Sequence, residues 1–133
     1  KKRTIPLSSP AGLLVILSYL AEKFYQGKTS CLKELEKDLP YNEEELLKAI
    51  DQLVKKGYIK IKEEEVFFIF PPDKIKLMDL LLTEDLKFFF ETYLLPQGKE
   101  LSHLYNMIEQ KEDLTLKDLI FPTKNSLAKN QSL

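Results

Sequence analysis

The sequence predicts a mainly α domain with a small β-hairpin, and three observations carry that reading. Two short amphipathic helical stretches follow one another between Thr29 and Lys55, separated by Pro40. The second closes on Lys55-Lys56-Gly57, and two strand-like runs come immediately after it, Tyr58 to Lys62 and Val66 to Phe70. Together with the apolar helix that precedes them, they give the order helix, helix, helix, hairpin, the order of a winged helix-turn-helix. More helices follow the hairpin.

Taken in order, Ser8-Ser9-Pro10 supplies an N-cap with proline in the first turn, and Leu13, Leu14, Leu17, Leu20, Ala21 and Phe24 then recur at helical spacing up to about Gln26-Gly27. Thr29 or Ser30 caps the second helix, whose buried face is Leu32, Leu35 and Leu39 and which Pro40 stops. Asn42 caps the third helix with Glu45 in the capping-box position, and Leu46, Leu47, Ile50, Leu53 and Val54 form its apolar face. Gly57 is placed as a left-handed C-cap. The run Tyr58-Ile59-Lys60-Ile61-Lys62 alternates, Glu63-Glu64-Glu65 makes a charged turn, and Val66-Phe67-Phe68-Ile69-Phe70 completes the hairpin before Pro71-Pro72 ends it.

Beyond the hairpin, Leu77, Leu80, Leu81 and Leu82 predict a short helix. Thr83, Glu84 and Asp85 open another that runs through Phe88-Phe89-Phe90 to about Tyr93. Pro96-Gln97-Gly98 breaks the chain, Leu101, Leu104, Tyr105 and Ile108 mark a further amphipathic helix, and Asp113-Leu114-Thr115 starts a last short one from Leu116 to Ile120. The organisation expected is a basic lead-in over 1–10, the helix-turn-helix and wing over 11–82, a C-terminal helical extension over 83–121, and a flexible tail over 122–133.

Composition bounds the function. The 133 residues carry 44% hydrophobic and 31% charged side chains, enough for a packed core. The net charge is −1, from 20 Lys and Arg against 21 Asp and Glu, so no global basic field attracts a polyanion. One cysteine, Cys31, excludes an internal disulfide and suits a reducing compartment such as the cytoplasm. The longest apolar run, Ala11 to Ala21, is half of the ~20 residues that cross a bilayer. No basic segment with a cleavage site marks a signal peptide. The chain opens at Lys1-Lys2-Arg3 without an initiator Met, which points to a fragment of something longer.

Catalytic chemistry has little to work with. His103 and Cys31 are the only residues of their kinds and lie about seventy residues apart. His103 reads as a surface or packing residue; Cys31 reads as a small core residue, with a reactive or regulatory thiol as the alternative. Four scattered glycines build no phosphate loop. The runs Glu43-Glu44-Glu45 and Glu63-Glu64-Glu65 read as a helix N-terminus and a turn in solvent rather than metal ligands. We therefore expect no enzyme, no cofactor and no metal.

For nucleic acid, fold and charge disagree. A helix-turn-helix reads the major groove with the first turns of its second helix, and here those turns are Asn42-Glu43-Glu44-Glu45. From Lys33 to Glu65 there are seven bases against ten acids, a net of −3. No arginine, the usual bidentate reader of guanine, occurs after Arg3. DNA remains possible but disfavoured, and a protein partner is favoured. The residues expected to form the contact face are Glu43, Glu44, Lys48, Asp51, Gln52 and Lys55. The phenylalanines at 67, 68, 70 and 88 to 90 cannot all share one side, so they read as core rings beneath the C-terminal helices or as an interface.

The stretch from Leu13 to Leu81 resembles the cytoplasmic C-terminal domain of the YihY/BrkB family, inner-membrane proteins long labelled ribonuclease BN-like. The similarity rests on Phe24-Tyr25-Gln26-Gly27-Lys28 at the exit of the apolar helix, Leu32 and Leu35, the Leu53, Gly57, Tyr58 turn, the segment Pro72, Asp73, Ile75, Leu77, Asp79, Leu80, and Leu114-Thr115-Leu116-Lys117-Asp118-Leu119 near the end. The resemblance implies that Lys1-Lys2-Arg3 lies just inside the inner membrane after a last span absent from this chain. The chain's partners would then be its own membrane domain, another copy or a cytosolic protein. A second resemblance is to IscR-type winged-helix transcriptional regulators, which implies a stand-alone cytoplasmic DNA-binding protein. Those carry a glycine-rich wing and, in cluster-binding members, three clustered cysteines, where this chain has Glu63-Glu64-Glu65 and Cys31.

Overall fold

Apolar residues on every side of one helix place that helix at the centre. In the computed structural model, which describes residues 2–81, 85–96, 101–110 and 113–121, α1 (Gly12–Tyr25) buries Leu13 through Ser18 together with Leu20 and Ala21, the signature of a core helix. The buried Ser18 hydroxyl is satisfied by donating to Val15 O at 3.0 Å. The cap expected at Ser8-Ser9-Pro10 is corrected: Ala11 occupies the N-cap without a side-chain bond. Ser9 Oγ instead donates to Pro6 O at 2.7 Å, because the chain makes a tight turn there before the helix begins.

The second correction concerns the start of α2 (Leu32–Asp38). Its N-cap is Cys31, and Ser30–Cys31 is a short strand, β2, rather than a capping turn. The third helix, α3 (Glu43–Lys55), starts as expected. Glu45 N donates to Asn42 Oδ1 at 2.8 Å, and Asn42 Nδ2 donates to Glu45 Oε1 at 2.7 Å. Its end is also as expected: Gly57 has φ +83°, with Tyr58 N donating to Leu53 O and Gly57 N to Val54 O, the paired bonds of a Schellman stop.

Strands β3 (Ile59–Lys62) and β4 (Glu65–Phe68) form the hairpin, in the register Ile59↔Phe68 to Lys62↔Glu65. β4 is central, with β2 on its other side, so the sheet has three antiparallel strands in the order β2-β4-β3. The two loop residues, Glu63 and Glu64, both have positive φ, 53° and 68°. A two-residue hairpin loop wants that conformation, but Asn-Gly adopts it far more cheaply than two glutamates. Replacing the pair with Asn-Gly (E63N with E64G) should therefore raise stability by about 1–2 kcal/mol. An unchanged urea midpoint would show that the turn carries no strain.

After the hairpin come a 3₁₀ turn (Pro72–Lys74), α4 (Leu77–Leu81), α5 (Leu86–Thr92), β5 (Tyr93–Leu94), α6 (Ser102–Glu109) and α7 (Leu116–Ile120). Asp85 caps α5 by accepting from Phe88 N, and Thr115 and Asp118 form a capping box on α7. Leu82, Thr83, Glu84, Gln97, Gly98 and everything from Pro122 lie outside the described residues.

The C-terminal helices are not laid over a finished core. Leu77 N donates to Leu114 O at 2.9 Å and Leu116 N to Ile75 O at 2.8 Å, α7 packs on α1, and Leu114, Leu116 and Leu119 join the same buried cluster as Leu17 and Leu53. The segment expected as a lead-in is likewise built in. Arg3–Thr4 forms β1, parallel to β5; Ile5 and Leu7 are buried; and Tyr41 Oη donates to Ile5 O at 2.6 Å. An N-terminal strap thus ties the turn between α2 and α3 to the C-terminal helices.

That strap has a consequence at high pH. The Tyr41 hydroxyl is pushed up to about 12, chiefly by burial and then by Glu45. Tyr19, Tyr25 and Tyr58 are raised by burial first, and Tyr105 by its hydrogen bond to Glu109. A phenol whose folded pKa lies above its unfolded value of 10 stabilises the fold below that pH, and the contribution disappears as pH rises through the folded value. Stability should therefore fall between pH 10 and about 12. Tyr41→Phe should lose about 1–2 kcal/mol at pH 7, leaving Ile5 O unpaired, and should show a shallower alkaline decline. Equal slopes for the two proteins would exclude Tyr41 as a contributor.

Candidate protein-contact face

Whether α3 offers a usable surface depends on how it is seated. Leu46, Ala49, Ile50 and Leu53 are its buried residues, one stripe at i, i+3, i+4, i+7. Leu47 and Val54, expected inside, are 42% and 38% exposed. The correction has a simple geometric cause. Ala49 is part of the seat, which rotates the helix so that positions 47 and 54 turn toward solvent.

All six residues expected on the contact face, Glu43, Glu44, Lys48, Asp51, Gln52 and Lys55, are exposed. Four of them are engaged with each other. Lys48 Nζ lies 3.5 Å from Glu44 Oε1, and Lys55 Nζ lies 2.9 Å from Asp51 Oδ2, both pairs with the acid one turn N-terminal to the base, the favourable orientation. Such exposed pairs add only a few tenths of a kcal/mol each, but they cancel charge. Glu43 stands with Glu44 and Glu45 in the first turn of α3, where carboxylates complement the helix dipole. Leu47 and Val54, at i−4 and i+3 from Asp51, stand beside the paired charges, between them and the buried side of the helix.

Gln52 borders a separate feature. With Lys56 it lines a groove of about 440 Å³ between the start of α1, the end of α3 and α4, which Ser8, Tyr58 and Asp79 also line. Burial raises the Tyr58 hydroxyl, with Asp79 adding to the shift. The sequence did not mark this groove, because it is assembled from three segments distant in the chain.

The remaining candidates fall as follows. Cys31 is half-buried, and its thiol donates to Glu34 Oε1 at 3.4 Å. Among the described residues, no group of His, Cys, Asp or Glu is placed to hold a metal ion; the side chain of His103 lies outside those described. The phenylalanine triplet at 88 to 90 divides: Phe89 and Phe90 are core, and Phe88 is 51% exposed. Phe67 and Phe68 are half-buried, while Ile69 and Phe70 are exposed. No helix among the described residues is long and apolar enough to cross a membrane.

The fold and face together define a mainly helical domain with a small antiparallel three-stranded sheet and an exposed helix face that carries two internal ion pairs. No family model matches the chain, and neither curated proteins nor solved structures provide a match.

Proposed function

We propose that this chain is a non-catalytic winged-helix module that works through protein contact, and that the exposed side of α3 is its contact face. The observation that carries this reading is the pairing of charges on α3. A helix that docks on phosphates presents free bases; this one spends Lys48 and Lys55 on Glu44 and Asp51 and exposes Leu47 and Val54 beside them. Exposed aliphatic side chains beside internal ion pairs suit a protein surface. On the resemblance to the YihY/BrkB family, the module is the cytoplasmic appendage of an inner-membrane protein, and its partner is that membrane domain, a second copy or a cytosolic protein.

The alternative is a stand-alone DNA-binding regulator of the IscR type. Lys60 and Lys62, exposed on β3 and without an ion-pair partner among the described residues, favour it.

Two measurements separate the readings. An antibody against this chain should find a native gene product much larger than 15.5 kDa in the membrane pellet. In gel shift at low salt, random duplex should not be retarded at about 50 µM protein, where a regulator binds non-specifically with strong salt dependence. A soluble native product of this size that shifts duplex would establish the regulator instead.

A further inference from the structure

Where α1 ends against the sheet, the chain leaves a depression of about 290 Å³, floored by Leu20 and Val66 and bounded by Phe24, Lys28, Ser30 and Phe68. Three independent features of it point to a ligand. First, Phe24 is 45% exposed although its ring meets Phe68 edge to face at 5.8 Å. Tyr25 also meets the Phe24 ring edge to face at 5.2 Å, and the fraction of Phe24 that stays exposed beside both rings is surface open to a further ring. Second, Ser30 is only 4% exposed, and among the described residues its hydroxyl has no hydrogen-bond partner. Buried hydroxyls are nearly always paired, so an unpaired one that lines a depression calls for a group to fill it. Third, Lys28 is the single charged residue of the lining, is exposed, and has no ion-pair partner among the described residues.

We propose that this depression binds a small aromatic carboxylate. Its ring packs against Phe24 and Phe68 over the aliphatic floor, and its carboxylate accepts from the Lys28 ammonium and the Ser30 hydroxyl. The volume lies at the lower end of small-molecule sites, which fits one or two fused rings and not a longer chain. The sign of the lining excludes a cationic ligand, and the aromatic walls disfavour a purely aliphatic acid. The site is separate from the α3 face and does not depend on that reading.

The test is an amide ¹H–¹⁵N titration of the labelled chain with 1-naphthoate, with 1-naphthalenemethanol as the neutral counterpart. Naphthoate should give saturable shifts centred on Gly27, Lys28, Ser30, Val66 and Phe68, with a dissociation constant of about 0.1–1 mM. Lys28→Gln should weaken naphthoate about tenfold and leave the alcohol unaffected. Ser30→Ala should weaken it several-fold. Lys28 is exposed, so its variant keeps the fold, which the dispersion of the same spectra verifies. Shifts that do not saturate at about 10 mM naphthoate, shifts centred elsewhere, or equal affinity for K28Q and the original chain would each overturn the proposal.

Discussion

Gly12→Ala should destabilise the protein by about 3 kcal/mol, even though alanine is the better helix former. On propensity alone, the exchange would gain up to about 1 kcal/mol in a helix. The surroundings reverse the sign. A Cβ at Gly12 would lie 2.3 Å from Leu7 O, 2.6 Å from its carbonyl carbon and 2.7 Å from its Cα, and all three are backbone atoms that cannot rotate away. Relief requires moving the segment from Ile5 to Leu7, in which Ile5 and Leu7 are buried, the Ile5 amide donates to Leu94 O and the Ile5 carbonyl accepts from Tyr41. Gly27→Ala makes a useful contrast. It has φ +72° and nothing within 4 Å of an added Cβ, so its cost should be purely conformational, about 1 kcal/mol. Urea midpoints of the two variants measure the difference, and a G12A protein as stable as the original would show that the strap is not packed on α1 as described.

The same strap marks the limit of what the sequence discloses. Elements with strong local chemistry were legible: the Asn42 cap, the Gly57 stop and the last helix from Leu116 lie where their residues indicate, and so does the hairpin, except that Glu65, expected in the turn, opens β4 and the strand ends at Phe68. β1, β2 and β5 were not, since each is two residues long and exists only through its partner strand. Ser30-Cys31 reads as a helix cap until β4 is known to lie beside it. The α3 face was legible in its exposed charges, because charge at i, i+4 is a local property. The exposure of Leu47 and Val54 was not, since the side a helix buries depends on what it packs against, and Ala49 gives a weak hydrophobic signal. The depression at Lys28 and Ser30 was illegible for the same reason as β2, which forms part of its wall.

Leu116→Ala should cost about 3–4 kcal/mol, in the range of large-to-small changes at closed core positions, and the loss should register on α3 as fully as on α7. Leu116 is fully buried, and its amide bonds Ile75 O. If residues 83–121 were an appended extension, as the sequence suggested, a cavity there would loosen the extension and leave the three-helix and hairpin part at its original stability. The structure argues for the opposite result. α7 packs on α1, α4 is bonded to the segment leading into α7, and β5 carries the N-terminal strap that also reaches Tyr41 at the start of α3. These elements share one buried cluster among the described residues, so unfolding should be a single transition. Hydrogen exchange of α3 amides in L116A, set beside a far-UV melt, reads both quantities. Protection of Leu53 and Val54 should fall by the full global amount; if it stayed at the original level while α7 exchanged freely, the C-terminal helices would be separable, and the contact face on α3 would stand without them.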